Sequence, residues 1–392
     1  MTTIEETTQA PTAEEIGLLR DSLRAWLDRH LSRERVRELD EARTVPVDLW
    51  RGLAELGVTG LRFGEEYGGS SADVRYDYTV IEELGRRYAS MAAGYMVVSM
   101  AGKFVSMHGN DEQRQRLLPG LAAGDALISF GLTEPDTGTD LAAIKTRATL
   151  RDGQWHLSGQ KLYITLAADA KTLIVLARTD EPTEGRNSNG LSLILVPRDQ
   201  PGVNVRRLKM AGLRAAGTTE IFFDDALAPE DAIIGTRGKG LEALLGTLNH
   251  ERILQAYMAV GIAEAAWTDA RDYALQRTAF GRPIGTFQAV QHPLAQSYVE
   301  LAGAKHLNEE AAAIEATGGN CVLEAAVAKH AAGEAAVNAT DRALRIQAGY
   351  GLTEESDLMR FHRDARDMVS GPVSNEMARN IIAERCGLPR SY

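Results

Sequence analysis

The stretch Ile128-Ser-Phe-Gly-Leu-Thr-Glu-Pro-Asp-Thr-Gly-Thr-Asp140 is where this chain changes character. An apolar run with alternating small residues reads as the end of a strand. It breaks at Glu134-Pro135, and Thr137-Gly138-Thr139 then makes a tight turn. Thr133, Thr137 and Thr139 line that turn with short hydroxyls, beside the backbone N–H groups that a glycine-bearing loop exposes. Such a loop suits the polar edge of a flat ring or an anionic phosphate. Taken alone, it suits an ordinary strand-ending turn better.

Upstream the pattern is helical. Ala13 to Leu31 carries Ile16, Leu19, Leu23, Trp26 and Leu27 at helical spacing. Val47 to Leu56 repeats the pattern after Pro46, and a glycine-rich turn follows at Gly64 to Gly69. Tyr78 to Tyr88 and Ala92 to His108 read as two further helices, the second almost wholly small or apolar and therefore buried. Asp111 to Ala123 reads as an amphipathic helix capped by Asn110 or Asp111.

From Ile128 to about Ile234, short β-type runs alternate with turns: Ala148–Arg151, Trp155–Ser158, Thr172–Ala177, Leu191–Val196 and Glu220–Phe223. Thr179 to Gly190 reads as a polar, mobile loop. After Gly238 the chain is helical again, in long patterns over Glu242–Arg277, Ala289–Ala316 and Cys321–Gly349. Asp357–Cys386 follows, broken at Gly371-Pro372. Long helices with short turns predict an antiparallel bundle. The expected fold is α+β: a helical N-terminal domain (1–127), a central β-barrel-like domain (128–236) and a C-terminal four-helix bundle (237–392).

Composition narrows the class. The 392 residues are 44% hydrophobic and 25% charged, as in ordinary soluble globular proteins. No apolar run is long enough to span a bilayer. The acidic start, Met1-Thr-Thr-Ile-Glu-Glu, lacks a basic-then-apolar signal pattern. Cys321 and Cys386 are far apart and lack metal-ligand spacing, so a cytoplasmic protein without disulfides or a metal is expected. A net charge of −11 argues against broad nucleic-acid binding but leaves room for an anionic small ligand.

The order helix, strand, helix carries motifs that resemble the acyl-CoA dehydrogenase family over nearly the whole chain. They are Phe63-Gly-Glu-Glu-Tyr-Gly-Gly69, Gly109 to Pro119, Leu132-Thr-Glu-Pro135 with Gly138-Thr-Asp140, and Gly159-Gln-Lys-Leu-Tyr-Ile-Thr165. Gln276-Arg-Thr-Ala-Phe-Gly281 with Phe287-Gln288, then Gln347 to Gly351, and Arg363-Asp-Ala-Arg366 complete the series. The resemblance implies FAD held between the β-domain and the C-terminal bundle, partly across a subunit interface of a homotetramer. Phe130, Leu132 and Thr133 would face the isoalloxazine ring, Thr139 the pyrophosphate, and Tyr163 and Thr165 the ring face and its N5 side. For Tyr163 a strand aromatic in the core is an equal reading. From a neighbouring subunit, Arg277 would reach the pyrophosphate, and Phe280 and Gln288 the adenine half. Gly349 would allow close backbone approach. Ser374 and Glu376 would contact pyrophosphate and ribose. Arg345 stands where the family usually has glutamine, and no role follows for it.

The base is the central question. Removing a proton alpha to a thioester needs a carboxylate while a beta hydride leaves. The family's usual base position is occupied here by Pro372, in Gly371-Pro-Val-Ser-Asn-Glu376, and proline is neither a base nor an N–H donor. A minority of the family carries the base on the long helix before an arginine. Leu248-Asn-His-Glu-Arg252 matches that pattern, so Glu251 is the expected base, with Asn249 and Arg252 toward the pantetheine arm. A structural salt bridge is the alternative for Arg252. Arg206, Arg207, Lys209 and Arg214 read as a solvated strand face or a phosphate contact. The expected reaction is α,β-dehydrogenation of an acyl-CoA, with electrons passed to an electron-transfer flavoprotein or another acceptor. Three rivals stay open: an acyl or aminoacyl group on a carrier protein, a flavin monooxygenase or oxidase, and a degenerate structural member.

Overall fold

A computed structural model describes residues 10–183 and 187–390 of the chain. Residues 184–186 of the expected Thr179–Gly190 loop, and the acidic start, lie outside the described residues.

The N-terminal helices begin at residues that satisfy free backbone N–H groups. α1 (Ala13–His30) starts with a capping box in which Thr12 accepts from Glu15 N and Glu15 reaches back to Thr12. α2 (Arg33–Ala42) lies outside the expected helices: it is short and highly charged, and it buries only Val36 and Asp40. α3 (Leu49–Glu55) follows. α4 (Val74–His108) joins the two expected helices, with a kink at Tyr88 (φ −154°, ψ 97°). α5 (Asp111–Ala122) is capped by Asn110 in a box with Gln113.

The middle of the chain forms one eight-stranded sheet. Its strands are β1 (Ile128–Gly131), β2 (Arg147–Arg151), β3 (Gln154–Ile164), β4 (Thr172–Arg178), β5 (Leu191–Pro197), β6 (Val203–Arg207), β7 (Thr219–Pro229) and β8 (Ile233–Ile234). The order is β6-β7-β3-β2-β4-β5-β8, with β1 pairing in parallel to β4. β4 and β5 are buried nearly throughout and read as continuous apolar runs. β6 was missed because it is a short, mostly polar edge strand. β3 and β7 run well past their expected limits, and β3 carries the Gly159–Thr165 motif almost to its end.

The C-terminal region is helical: α6 (Gly240–Leu245), α7 (Leu248–Gln276), α8 (Gln288–Ala316), α9 (Val322–Gln347), α10 (Leu358–Ala365), α11 (Asp367–Ser370) and α12 (Asn375–Arg385). A small hairpin, β9 (Thr278–Ala279) with β10 (Arg282–Pro283), joins α7 to α8. The single helix expected from Glu242 is broken at Gly246-Thr247, so Glu251 falls in the first turn of α7. α4 and α7 approach to backbone contact. A β-carbon on Gly85 would lie 2.7 Å from Met258 O, and one on Gly261 would lie 2.2 Å from Glu82 O. Among the described residues no helix is long and apolar enough to cross a membrane.

Candidate active site

The turn after β1 is closed by its own backbone. Glu134 N donates to Thr137 O (2.8 Å) and Thr137 N to Glu134 O (3.2 Å). The buried Glu134 carboxylate then accepts from Lys145 N (2.6 Å), Thr146 N (2.9 Å) and Lys161 Nζ (2.9 Å). Lys161 also donates to Leu132 O (2.9 Å), and Leu162 N donates to Thr133 O (2.9 Å). Ser129 Oγ donates to Thr165 O (2.6 Å). The first two motifs, some thirty residues apart, are thereby one unit. Burial pushes the Lys161 ammonium down to about 8 against the pull of Glu134. Burial also opposes ionisation of Glu134, but Lys161 and the backbone donors outweigh it and hold the carboxyl below its usual range. Glu134 and Lys161 stand inside the two motifs but are not among the expected site residues. The available signal was a lysine at an inward position of a strand, where only a paired charge is tolerated.

Tyr163 sits at a bulge. The register of β3 on β7 slips between Leu162 and Ile164, which leaves Tyr163 at φ +60° with its side chain 59% exposed. A bulge re-aims a side chain, and a bulky residue at positive φ marks a strained position. Tyr163 is thus not a core aromatic. Phe130, Leu132, Thr133 and Thr165 are half-buried nearby in the fold, and Thr139 is exposed. Phe130 stands edge-on to Phe104 (5.8 Å, 85°). The Thr137 hydroxyl is buried without a partner among the described residues. An exposed aromatic face, half-buried hydroxyls and an orphaned hydroxyl fit a flat ring with a polar edge.

Glu251 lies in the first turn of α7, half-buried, and its carboxylate makes no hydrogen bond or ion pair of 4 Å or less among the described residues. Burial raises it to about 7, partly offset by Arg252. Arg252 is buried and donates to Asn249 Oδ1 (2.8 Å). The preceding residue, His250, is fully buried among charges. Its Nε2 lies 3.1 Å from Asp77 Oδ2, and its Nδ1 lies 3.2 Å from Glu315 Oε1 and 3.0 Å from Tyr78 Oη. Tyr78 also donates to Glu315, Lys103 pairs with Glu315 (2.8 Å), and Tyr95 and Ser99 donate to Asp77. This network joins α4, α7 and α8, and nothing local in the sequence announces it. No cluster suited to a metal occurs among the described residues.

Pro372 is exposed in the loop between α11 and α12. Ser374 caps α12, its hydroxyl accepting from Met377 N (3.2 Å). Glu376 is exposed and lies 3.6 Å from Arg379. The buried Asn375 ties the loop to α9, accepting from Lys329 Nζ (2.8 Å) and donating to Glu334 Oε1 (2.8 Å).

Four expected residues lie elsewhere. Arg277, Phe280, Gln288 and Gly349 are all exposed, and Phe280 is 95% exposed at φ +54° on the β9–β10 hairpin. Tyr350, beside Gly349, stacks on Tyr273 near the end of α7 (5.6 Å, 6°). At the rise of a helix, this end lies roughly 40 Å from Glu251. The structure therefore does not bring these four to Glu251 within one protomer. Arg345 pairs with Asp341 (2.9 Å) on the helix surface. In the basic stretch, Arg207 pairs with Asp169 (2.7 Å), Arg214 with Asp40 (3.6 Å), and Arg206 covers the Phe222 ring.

Three models of the acyl-CoA dehydrogenase family match consecutive regions: the N-terminal domain over residues 13–125, the middle domain over 129–226 and the C-terminal domain over 238–387. The chain belongs to the acyl-CoA dehydrogenase family. It is 36% identical to the probable acyl-CoA dehydrogenase YngJ of Bacillus subtilis over 349 residues, 88% of this chain and 91% of that one. The acyl-CoA dehydrogenase structure from Geobacillus kaustophilus superposes with a TM-score of 0.93 at 31% identity, covering 97% of this chain and 100% of that one. The prolyl acyl carrier protein oxidase AnaB gives a TM-score of 0.87 at 25% identity, covering 97% and 100%. As an acyl-CoA dehydrogenase family member the chain is a flavin oxidoreductase that uses FAD. The bulged Tyr163, the half-buried hydroxyls and the turn organised by Glu134 and Lys161 suit that cofactor.

Proposed function

We propose that this enzyme dehydrogenates an acyl thioester between its α and β carbons, with Glu251 as the base. The carrying observation is the contrast between two positions. Pro372 offers neither a carboxylate nor an N–H, whereas Glu251 presents a half-buried carboxylate with no hydrogen bond among the described residues, lifted to about 7. A base works best with its pKa near working pH. Thr133, Tyr163 and Thr165 would hold the flavin ring and Thr139 its phosphates, joined by Arg277, Phe280, Gln288 and Gly349 of a neighbouring copy. FAD, when bound, accepts the β hydride. Glu251 takes the α proton onto a carboxylate oxygen. Asn249, fixed by Arg252, stands two residues before Glu251 and would orient the pantetheine arm. The Val373 N–H, next in the loop, could polarise the thioester carbonyl in place of Pro372, and such a donor supplies about 3 kcal/mol.

The acceptor of the electrons would be an electron-transfer flavoprotein or a comparable carrier. The likeness to a carrier-protein oxidase supports a second reading of the same chemistry, on an acyl group held by a carrier protein. The test is anaerobic bleaching of the flavin by acyl groups presented on CoA and on a carrier protein. Glu251→Gln should keep FAD but slow bleaching by ~10²-fold or more. Bleaching at the wild-type rate would rule out Glu251 as base. Hydroxylated product with oxygen uptake would instead favour a monooxygenase.

A further inference from the structure

Asp367 opens α11, and its carboxyl lies over Gly371. Its two oxygens are 3.5 and 3.6 Å from the point where a side chain on Gly371 would begin. The carboxylate is thus held against the loop that carries Pro372, at ordinary contact distance from Gly371. Among the described residues no side chain hydrogen-bonds to that carboxylate or stands within 4 Å as an ion pair, and Lys329 acts on it only as a charge at longer range. The Asp367 backbone carbonyl, by contrast, accepts from Gln255 Nε2 (3.4 Å) and from Ser370 Oγ (3.3 Å).

Gln255 is one turn beyond Glu251 on the same face of α7. It is only 1% exposed, yet its Oε1 has no donor among the described residues. Of the neighbouring cations, Lys329 hydrogen-bonds to Asn375 and attracts Asp367 only at longer range, and Arg252 hydrogen-bonds to Asn249. An orphaned amide oxygen thus lies on the face that carries Glu251, and the residue its amide group touches, Asp367, brings a carboxylate to the same junction of α7 and α11. A buried acceptor left without a donor costs about 1–3 kcal/mol. A plain alkyl chain laid against this pair leaves it unsatisfied. A chain bearing a donor satisfies it.

We propose that Asp367 is a specificity-determining residue: with Gln255 it accepts hydrogen bonds from a hydroxyl or ammonium group that the acyl chain carries beside its reacting carbons. This rests on the dehydrogenase reading and names its substrate class, a polar rather than a plain acyl thioester. Glu251 remains the base, so the bonds broken and formed are unchanged.

The test compares butanoyl, 2-hydroxybutanoyl and 2-aminobutanoyl thioesters, each presented on CoA and on a carrier protein, by the anaerobic rate of flavin bleaching. The wild type should favour at least one substituted thioester over butanoyl by roughly tenfold or more in rate over dissociation constant. Asp367→Leu should retain FAD and bring that ratio to within about twofold. Asp367→Asn keeps the shape and one acceptor. It should retain part of a hydroxyl preference and lose an ammonium preference, and it decides the matter if the leucine variant does not fold. A wild-type enzyme that prefers butanoyl, or a preference that survives both substitutions, overturns the proposal. A flavin bleached by none of the thioesters overturns the dehydrogenase reading itself.

Discussion

At Glu251 two influences oppose each other. The first turn of a helix favours an anion by about 0.3–1 kcal/mol. Burial disfavours it and prevails, so the carboxyl titrates near 7 rather than at 4.5. The base acts only when ionised. Flavin bleaching by a good substrate should therefore rise as pH climbs through about 7 and level off above it, and stopped-flow rates measured across that range provide the check. A rate independent of pH there would mean that another group takes the proton. Lys161 shows the complementary case, a buried cation made tolerable by a carboxylate and a carbonyl.

At the scale of elements, two devices hold the site's parts in register. The first is Lys161 on β3, which grips the end of β1 and the Glu134 turn together. Lys161→Met keeps the stem but leaves Glu134 buried without its cation. FAD retention should weaken by roughly tenfold, the scale of one lost charge-assisted hydrogen bond, as read by flavin release on dilution. Retention equal to wild type would mean that the turn holds its shape unaided. The second device is His250, which locks the start of α7 to α4 and α8. His250→Leu would leave Asp77 and Glu315 facing each other in the interior. Removing one member of such a set typically costs about 3–5 kcal/mol, so the urea midpoint should fall markedly. Burial works against ionisation of Asp77, but His250 and its other partners hold it below the ordinary range. The destabilisation should therefore be full at neutral pH and shrink as pH falls below the ordinary carboxylate range, where Asp77 can take a proton. An equal loss at every pH would point to packing alone.

Across the whole molecule, Glu251 and the Arg277–Phe280 pair lie at opposite ends of α7. One protomer cannot close a single site from both. If each flavin takes Thr133 and Tyr163 from one copy and Arg277 and Phe280 from another, two defective variants should complement. Hybrids of Glu251→Gln with Arg277→Ala subunits should recover part of the bleaching that neither parent shows, because some sites then hold both native residues. Hybrids no better than the parents would place both groups on one protomer's flavin. Light scattering should likewise give a multiple of the 42.5 kDa chain.

The order of helical, β and helical regions was legible in the sequence because it rests on local periodicity and on glycine and proline punctuation, which need no distant partner. The expectation for Glu251 came from Pro372 and the Glu251-Arg252 pair, both visible as letters. The misses are short features. α2 and β6 are brief, charged elements that bury few residues, and the break at Gly246-Thr247 is a two-residue event inside a helical pattern. Only the tertiary structure decided which charges share an interior. Asp77, His250 and Glu315 lie far apart in the chain, as do Glu134 and Lys161, or Gln255 and Asp367. Burial and pairing set the charge of such groups, and both depend on the folded neighbourhood rather than on the residue's own segment.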